Sequence, residues 1–401
     1  MDSAQPGPKP RAKRRRLRGL LVALGVLAAL DQGLHRIAFR DGFFRQVRVA
    51  PFDPPLFSEV QFQAIEGLRA EARGRVDDER VTSFDPDLGW NLIPAAGTKE
   101  NEVDAEGARR DEHAAANARI LAYGCSYTYG SEVQPKETWP NQLSGLLEDT
   151  RVVNLGVPGY GVDQALLRFY RQQLKASEVW LCYLPFASTR AVVQYRPVLR
   201  HYSSTVAFKP RFTLDAAGGL ELQAQPARTP TERLELVLDS RRFVDAVGST
   251  DAYVRDLPAA FGPMGSHWSH HSGLGRAALT LLDRRRPDPL RRLARTDDEA
   301  RLVVTAIGQR MAAEAAKRGM RFRILVLPSQ AGLAECATAG TAPWQSIVDE
   351  WRAAGLEVFD MAEAVESVDT MLEEKHWMPG GHYSPLGNSL VAAAIAEELR
   401  E

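Results

Sequence analysis

The 401-residue chain reads as an α/β protein whose parallel sheet of five strands is covered by helices on both faces. Three observations predict this. Five short apolar runs each stop at glycine, proline or a polar turn, as buried strands do. Segments of helical character separate them. Hydrophobic residues make up 44% and charged residues 25%, the mix of a globular protein rather than of a disordered, collagenous or polytopic membrane chain.

The first strand is Arg119–Tyr123, closed by Gly124, and a helix follows at Thr138–Leu147. Val152–Leu155 is the second strand, ending in a Gly/Pro cluster. A helix over Gln164–Lys175 comes next, with Asp163 suited to its N-cap. Val179–Leu184 is the third strand, stopped by Pro185. After a long interruption a helix spans Asp298–Lys317, and the fourth strand, Phe322–Leu327, stops at Pro328. A helix near Trp344–Ala354 leads to the fifth strand, Leu356–Phe359. The last helix runs from Pro385 to Leu399, with Pro385 at the first helical position and Ser384 as its cap. Residues 40–117 are dense in Pro, Gly and Asp and read as a loosely ordered, turn-dominated approach. Residues 196–297 break the alternation and read as an insertion or cap. The organisation expected is a basic tail (1–16), an anchor helix (17–39), an extension (40–117), a first core half (118–195), the insertion (196–297) and a second core half (298–401).

The formal net charge of -1 argues against nucleic acid as a partner. That total hides an asymmetry. Residues 1–18 carry seven of the 50 basic groups and one of the 51 acids, leaving 43 basic and 50 acidic groups beyond them. The basic run abuts an uncharged apolar stretch, Gly19–Leu30, in the layout of a signal peptide or signal anchor. Twelve residues fall short of the roughly 20 that span a bilayer. A spanning helix therefore extends over 17–39 only if Asp31, His35 and Arg36 lie at the far interface. The reading adopted is an uncleaved anchor, with the tail cytoplasmic and the remainder periplasmic or otherwise extracytoplasmic. A cleaved signal and a soluble protein with a short buried helix are the alternatives. Three cysteines, Cys125, Cys182 and Cys336, exclude a disulfide scaffold and a four-cysteine zinc site.

In doubly wound sheets function collects at the carboxyl ends of the strands. After the first strand comes Gly124-Cys125-Ser126-Tyr127-Thr128-Tyr129-Gly130, where a strand-to-helix turn presents Ser126 as a nucleophile beside backbone amides, or simply as a helix cap. After the second comes Asn154-Leu155-Gly156-Val157-Pro158-Gly159-Tyr160-Gly161, whose glycine spacing is not the dinucleotide fingerprint. Beyond the fifth comes Gly381-His382-Tyr383-Ser384-Pro385-Leu386-Gly387-Asn388. His382 and His376 are the two histidines that follow a core strand, and either is a general base or a structural imidazole. Tyr127, Tyr129, Tyr160 and Trp377 line the cleft or pack beside it. Cys125 as the nucleophile, a metal site at His267-Trp268-Ser269-His270-His271, and an anion-binding surface at Arg284–Arg295 are weaker readings.

The three blocks GCSYTYG, NLGVPGYG and GHYSPLGN resemble the first, second and last sequence blocks of the SGNH (GDSL-type) hydrolases. FDPDLGW at 84–90 and Lys209-Pro210-Arg211-Phe212 resemble a bacterial, often membrane-anchored subgroup of them. The resemblance covers roughly residues 84–215 and 300–401. It implies a flavodoxin-like three-layer α/β/α sandwich and a serine esterase or acyl-ester transferase, commonly acting on acetyl esters. Ser126 is then the nucleophile, His382 the base, and the Ser126 and Gly159 N–H groups part of the oxyanion hole. Neither a cofactor nor a metal is implied. The substrate is a small-molecule or polysaccharide ester, and the membrane is engaged through the N-terminal helix.

Three departures accompany the resemblance. Cys125 replaces the Asp of the Gly-Asp-Ser block. The stretch after the third strand, Leu184–Arg190, lacks the Asn that donates to the oxyanion, a loss worth about 10²–10³ in rate unless Ser188, Thr189 or Arg190 substitutes. The acid that precedes the histidine is missing, with Pro379 and Gly380 in its place. Asp360, Glu373 and Glu374 are the nearest carboxylates. A Ser–His dyad, or a degenerate module that binds a glycan or envelope partner without turnover, are the corresponding alternatives.

Overall fold

The computed structural model describes residues 10–38, 43–44, 47–48, 55–56, 58–75, 80–98, 102–113, 118–147, 149–199, 203–256, 265–283, 298–365 and 368–400. The basic segment at 284–295 lies outside these. Five strands form one parallel sheet: β1 (Ala118–Tyr123), β2 (Thr150–Asn154), β3 (Glu178–Tyr183), β4 (Arg321–Val326) and β5 (Val358–Asp360). Their spatial order is β2-β1-β3-β4-β5. This is the flavodoxin-like order, with its switch point between β1 and β3. The three-layer sandwich implied by the sequence blocks is thus realised.

Strand side chains alternate between the two faces. Leu121, Tyr123, Val179, Leu181, Tyr183, Ile324 and Val326 enter one core. Ile120, Ala122, Trp180, Cys182 and Leu325 enter the other. Helices Val162–Arg171 and Glu299–Lys317 cover the first core, together with Ile347, Val348 and Trp351 of helix Gln345–Ala353. Trp139 and Leu143 of helix Trp139–Leu146 cover the second, with Val391, Ala392 and Ile395 of helix Pro385–Glu398. The last helix starts as expected, with Pro385 in its first turn and Ser384 Oγ accepting from the Gly387 N–H.

Three expectations are corrected. Asp163 is not an N-cap: the helix begins at Val162 with Gly161 as its cap, and Asp163 turns inward to pair with Lys209, both fully buried. The helix also ends at Arg171 rather than Lys175. The segment before β1 is not a loose run of turns. Thr82–Asp85 and Gly89–Leu92 form an antiparallel hairpin that places buried Leu88, Trp90 and Leu92 against the Tyr160 loop.

The insertion contains the antiparallel pair Arg211–Leu214 and Leu220–Gln223, followed by short helices. Tyr195, Phe208, Val237 and Phe243 join Leu56, Ile65 and Leu68 in a further core. Near the N-terminus a helix spans Pro10–Gly33 and continues as a π turn over Leu34–Ala38. The stretch Arg14–Arg36 is long and apolar enough to cross a membrane, and its apolar side chains are exposed.

Candidate active site

Ser126 is the first residue of a four-residue helix, Ser126–Tyr129, at the carboxyl end of β1. Its cap is Cys125, in extended conformation, whose side chain makes no capping bond. The capping role for Ser126 is therefore not realised. Cys125 points into the core beside Trp139 and Cys182, away from any role as a nucleophile. Burial pushes the neighbouring Cys182 thiol well up, to the detriment of its thiolate.

The second block lies directly against this turn. Asn154 Nδ2 donates to Thr128 O at 2.8 Å, and the Val157 N–H to Gly124 O at 3.0 Å. A Cβ at Gly156 would stand 2.4 Å from the Tyr129 amide nitrogen, so only glycine permits this approach. Gly159 has φ +84°, again a glycine conformation. The loop is held by three hydrogen bonds to Trp90 and Arg190. Trp90 Nε1 donates to Pro158 O at 2.9 Å, Tyr160 OH to Trp90 O at 2.7 Å, and Arg190 Nη1 to Tyr160 O at 2.9 Å. Among the described residues, neither the Ser126 nor the Gly159 N–H has an internal acceptor.

His382 comes from the turn before the last helix, beyond the short helices that follow β5. Trp377 and Tyr383 bridge across that turn, and Met378 N–H donates to His382 O at 2.7 Å. Tyr127, the residue after Ser126, donates its hydroxyl to Gly381 O at 2.7 Å, and its ring lies 5.2 Å from the imidazole. The first and last blocks thus meet. Ser126 Oγ and His382 are not hydrogen-bonded to each other in this structure. His376, the other histidine after a core strand, is buried, with Nδ1 on Thr370 O at 2.8 Å, and is structural.

Sequence reasoning did not single out the carboxylate that meets His382. It is Glu132, from the turn just after the Ser126 helix. One carboxylate oxygen takes His382 Nδ1 and the other accepts the Gly380 N–H at 2.8 Å. Asp360 instead accepts from Trp344 Nε1 and the Ala362 N–H, and desolvation pushes its carboxyl up to about 6. Glu373 pairs with Lys375. Glu132 also has φ +73°, a left-handed conformation costly for a side chain with a Cβ. Its turn is stapled by Arg109, a buried guanidinium that donates to Tyr129 O, Gly130 O and Val133 O. The available signal was position: Glu132 lies six residues after the serine, in the turn that closes the short helix Ser126–Tyr129.

Two of the three candidates to replace the missing Asn are engaged elsewhere. Ser188 Oγ donates to Pro185 O and accepts from Tyr183 OH, while Arg190 braces the glycine loop. Tyr127, Tyr129, Tyr160 and Trp377 are all buried and pack beside the site. The Asp163–Lys209 pair lies beneath the loop, with Lys209 Nζ also on Pro210 O. Burial pulls this amine down to about 8 despite the opposing carboxylate. Among the described residues no His/Cys/Asp/Glu group could hold a metal, and His267 engages Ser269 instead.

No family model matches the chain, and no curated protein does. Among solved structures, it is similar to a lipolytic protein of the G-D-S-L family from Desulfitobacterium hafniense, at 13% identity over 70% of this chain and 99% of that one, TM-score 0.33. A G-D-S-L family member from Veillonella parvula matches at 9% identity over 70% and 97%, TM-score 0.33. A GDSL-like lipase from Bacteroides thetaiotaomicron matches at 12% over 70% and 87%, TM-score 0.31. At TM-scores of this size the likeness is slight, and the fold class rests on strand order and connectivity.

Proposed function

We propose that this protein is a serine ester hydrolase or acyl-ester transferase of SGNH type, with Ser126 as nucleophile, His382 as base and Glu132 as the acid that orients it. The observation that carries the reading is the Glu132–His382 pair, set against the turn that presents Ser126. A carboxylate on Nδ1 fixes the tautomer that leaves Nε2 free to accept a proton. Ser126 Oγ attacks the ester carbonyl carbon as Nε2 removes its proton, and the Ser126 and Gly159 amides stabilise the oxyanion. The alcohol leaves with the proton from His382. Water or an acceptor hydroxyl then takes the acyl group from the serine by the same steps reversed. The Ser126–His382 bond forms when the ester binds, as catalytic hydrogen bonds tighten in the Michaelis complex.

The helix over Arg14–Arg36, about 34 Å long at 1.5 Å per residue, serves as a membrane anchor, with the catalytic unit on the extracytoplasmic side. An O-acylated envelope polysaccharide or a small ester is then the substrate. Fluorophosphonate labelling of the full chain tests the reading. The wild type should label and turn over p-nitrophenyl acetate, and Ser126→Ala should do neither while melting at the same temperature. A wild type that resists the probe is a binding module on this fold, not an enzyme.

A further inference from the structure

The segment His267–Asp283 is tied to the end of the N-terminal helix. Asp31 Oδ1 accepts from Ser272 Oγ at 3.0 Å and from the Leu274 N–H at 2.9 Å, and Gln32 Nε2 donates to His271 O at 2.8 Å. Asp31 thus supplies an acceptor to the first turn of helix Gly273–Asp283. Gly273 makes the close approach possible, since a Cβ there would stand 2.8 Å from both Asp31 O and the His35 amide nitrogen.

The same helix turns its other side outward. Leu274, Ala278, Leu281 and Leu282 are exposed at i, i+4, i+7 and i+8, one continuous face about 12 Å long, while Arg276 and Leu279 are buried. Leu274, Leu281 and Leu282 are 65%, 61% and 57% exposed, and Trp268, in the turn before the helix, is 76% exposed. This reverses the usual arrangement, in which a surface helix points its apolar stripe at the core. Among the other described residues of the folded body, no helix or strand exposes more than two large hydrophobics. Here they cluster where the apolar helix meets that body.

We infer that helix Gly273–Asp283 and Trp268 form a second membrane contact, which lies in the headgroup–acyl boundary beside the point where the anchor leaves the bilayer. The occupant is lipid because this helix is joined to the anchor: Asp31, a residue of the anchor itself, accepts from the first turn of the helix and from Ser272 before it. An amphipathic helix lying in the interface buries its apolar face there, and tryptophan favours that depth. The inference rests on the anchor reading of Arg14–Arg36. Two contacts instead of one fix the tilt of the catalytic unit over the membrane, so that it cannot swivel freely on its tether.

A photoreactive benzoylphenylalanine is placed singly at Leu24, Trp268, Leu281 and, as an outward control, Leu222. The full chain is reconstituted in vesicles of phosphatidylethanolamine and phosphatidylglycerol and irradiated. Lipid adducts at 268 and 281 should exceed those at 222 on the order of tenfold, the contrast between a face in the acyl boundary and one in water. Adducts at 24 without adducts at 268 or 281 would overturn the second contact and leave the anchor standing. Adducts at none of these positions would overturn both, and adducts only to protein at 268 and 281 would make the face a protein interface instead.

Discussion

Replacing Glu132 by Gln changes one charge and almost no shape. Gln still accepts the Gly380 N–H, still suffers the positive φ, and leaves the Arg109 staple in place. The Glu132–His382 pair is partly solvated, with side chains 28% and 19% exposed, so its direct worth to stability is at most about 1 kcal/mol. Its worth to turnover is larger. Without the carboxylate the imidazole is free to take the wrong tautomer and rotamer, and the imidazolium formed during attack has no counter-charge. Losses of about 10²–10⁴ in kcat follow, some 3–5 kcal/mol of barrier at 1.36 kcal/mol per decade. Because Glu132 faces His382 rather than the ester, KM should hardly move. The assay is p-nitrophenyl acetate turnover by Glu132→Gln beside a urea titration of the same preparation. Glu132→Gly adds a second arm. It should lose activity to the same extent, while relief of the left-handed strain, about 1–2 kcal/mol, offsets the lost ion pair. A Gln variant with kcat within about threefold of wild type, or one whose loss tracks a collapse in stability, would refute the role given to Glu132.

The remaining predictions concern the frame of the site. Lys209→Met should destabilise the fold by about 3–5 kcal/mol, because it leaves Asp163 fully buried without its cation; a urea-derived loss below about 1 kcal/mol would show that the pair is not maintained. Asp360 has its folded pKa raised to about 6, so the stability that it contributes is fully present below its unfolded value and is lost as pH rises through about 6. The stability gap between wild type and Asp360→Ala should therefore be wider at pH 4.5 than at pH 7, by about 2 kcal/mol; denaturant curves that give a constant gap would count against it.

The sequence by itself determined the sheet. Strand identity is written in mostly apolar runs of four to six residues, and the start of the last helix in the cap Ser384-Pro385, because both depend on neighbours along the chain. It also put Ser126 and Gly159 just after strands and His382 beyond the last of them, since strand ends are visible as breaks in the pattern. Only the tertiary structure decided how the site is completed. Glu132 and His382 are 250 positions apart, and no local pattern relates them; they pair because the β1 turn and the turn before the last helix share one rim of the sheet. The hairpin at 82–92 was hidden for a similar reason. Its Pro, Gly and Asp content is that of turns, and its order comes from packing on Tyr160 rather than from propensity. Asp31, which looks like an interruption of the apolar helix, is the clearest case. Its charge is placed by a helix that begins 242 residues later, at Gly273, and a partner that distant is fixed by folding in three dimensions, not by the order of the residues.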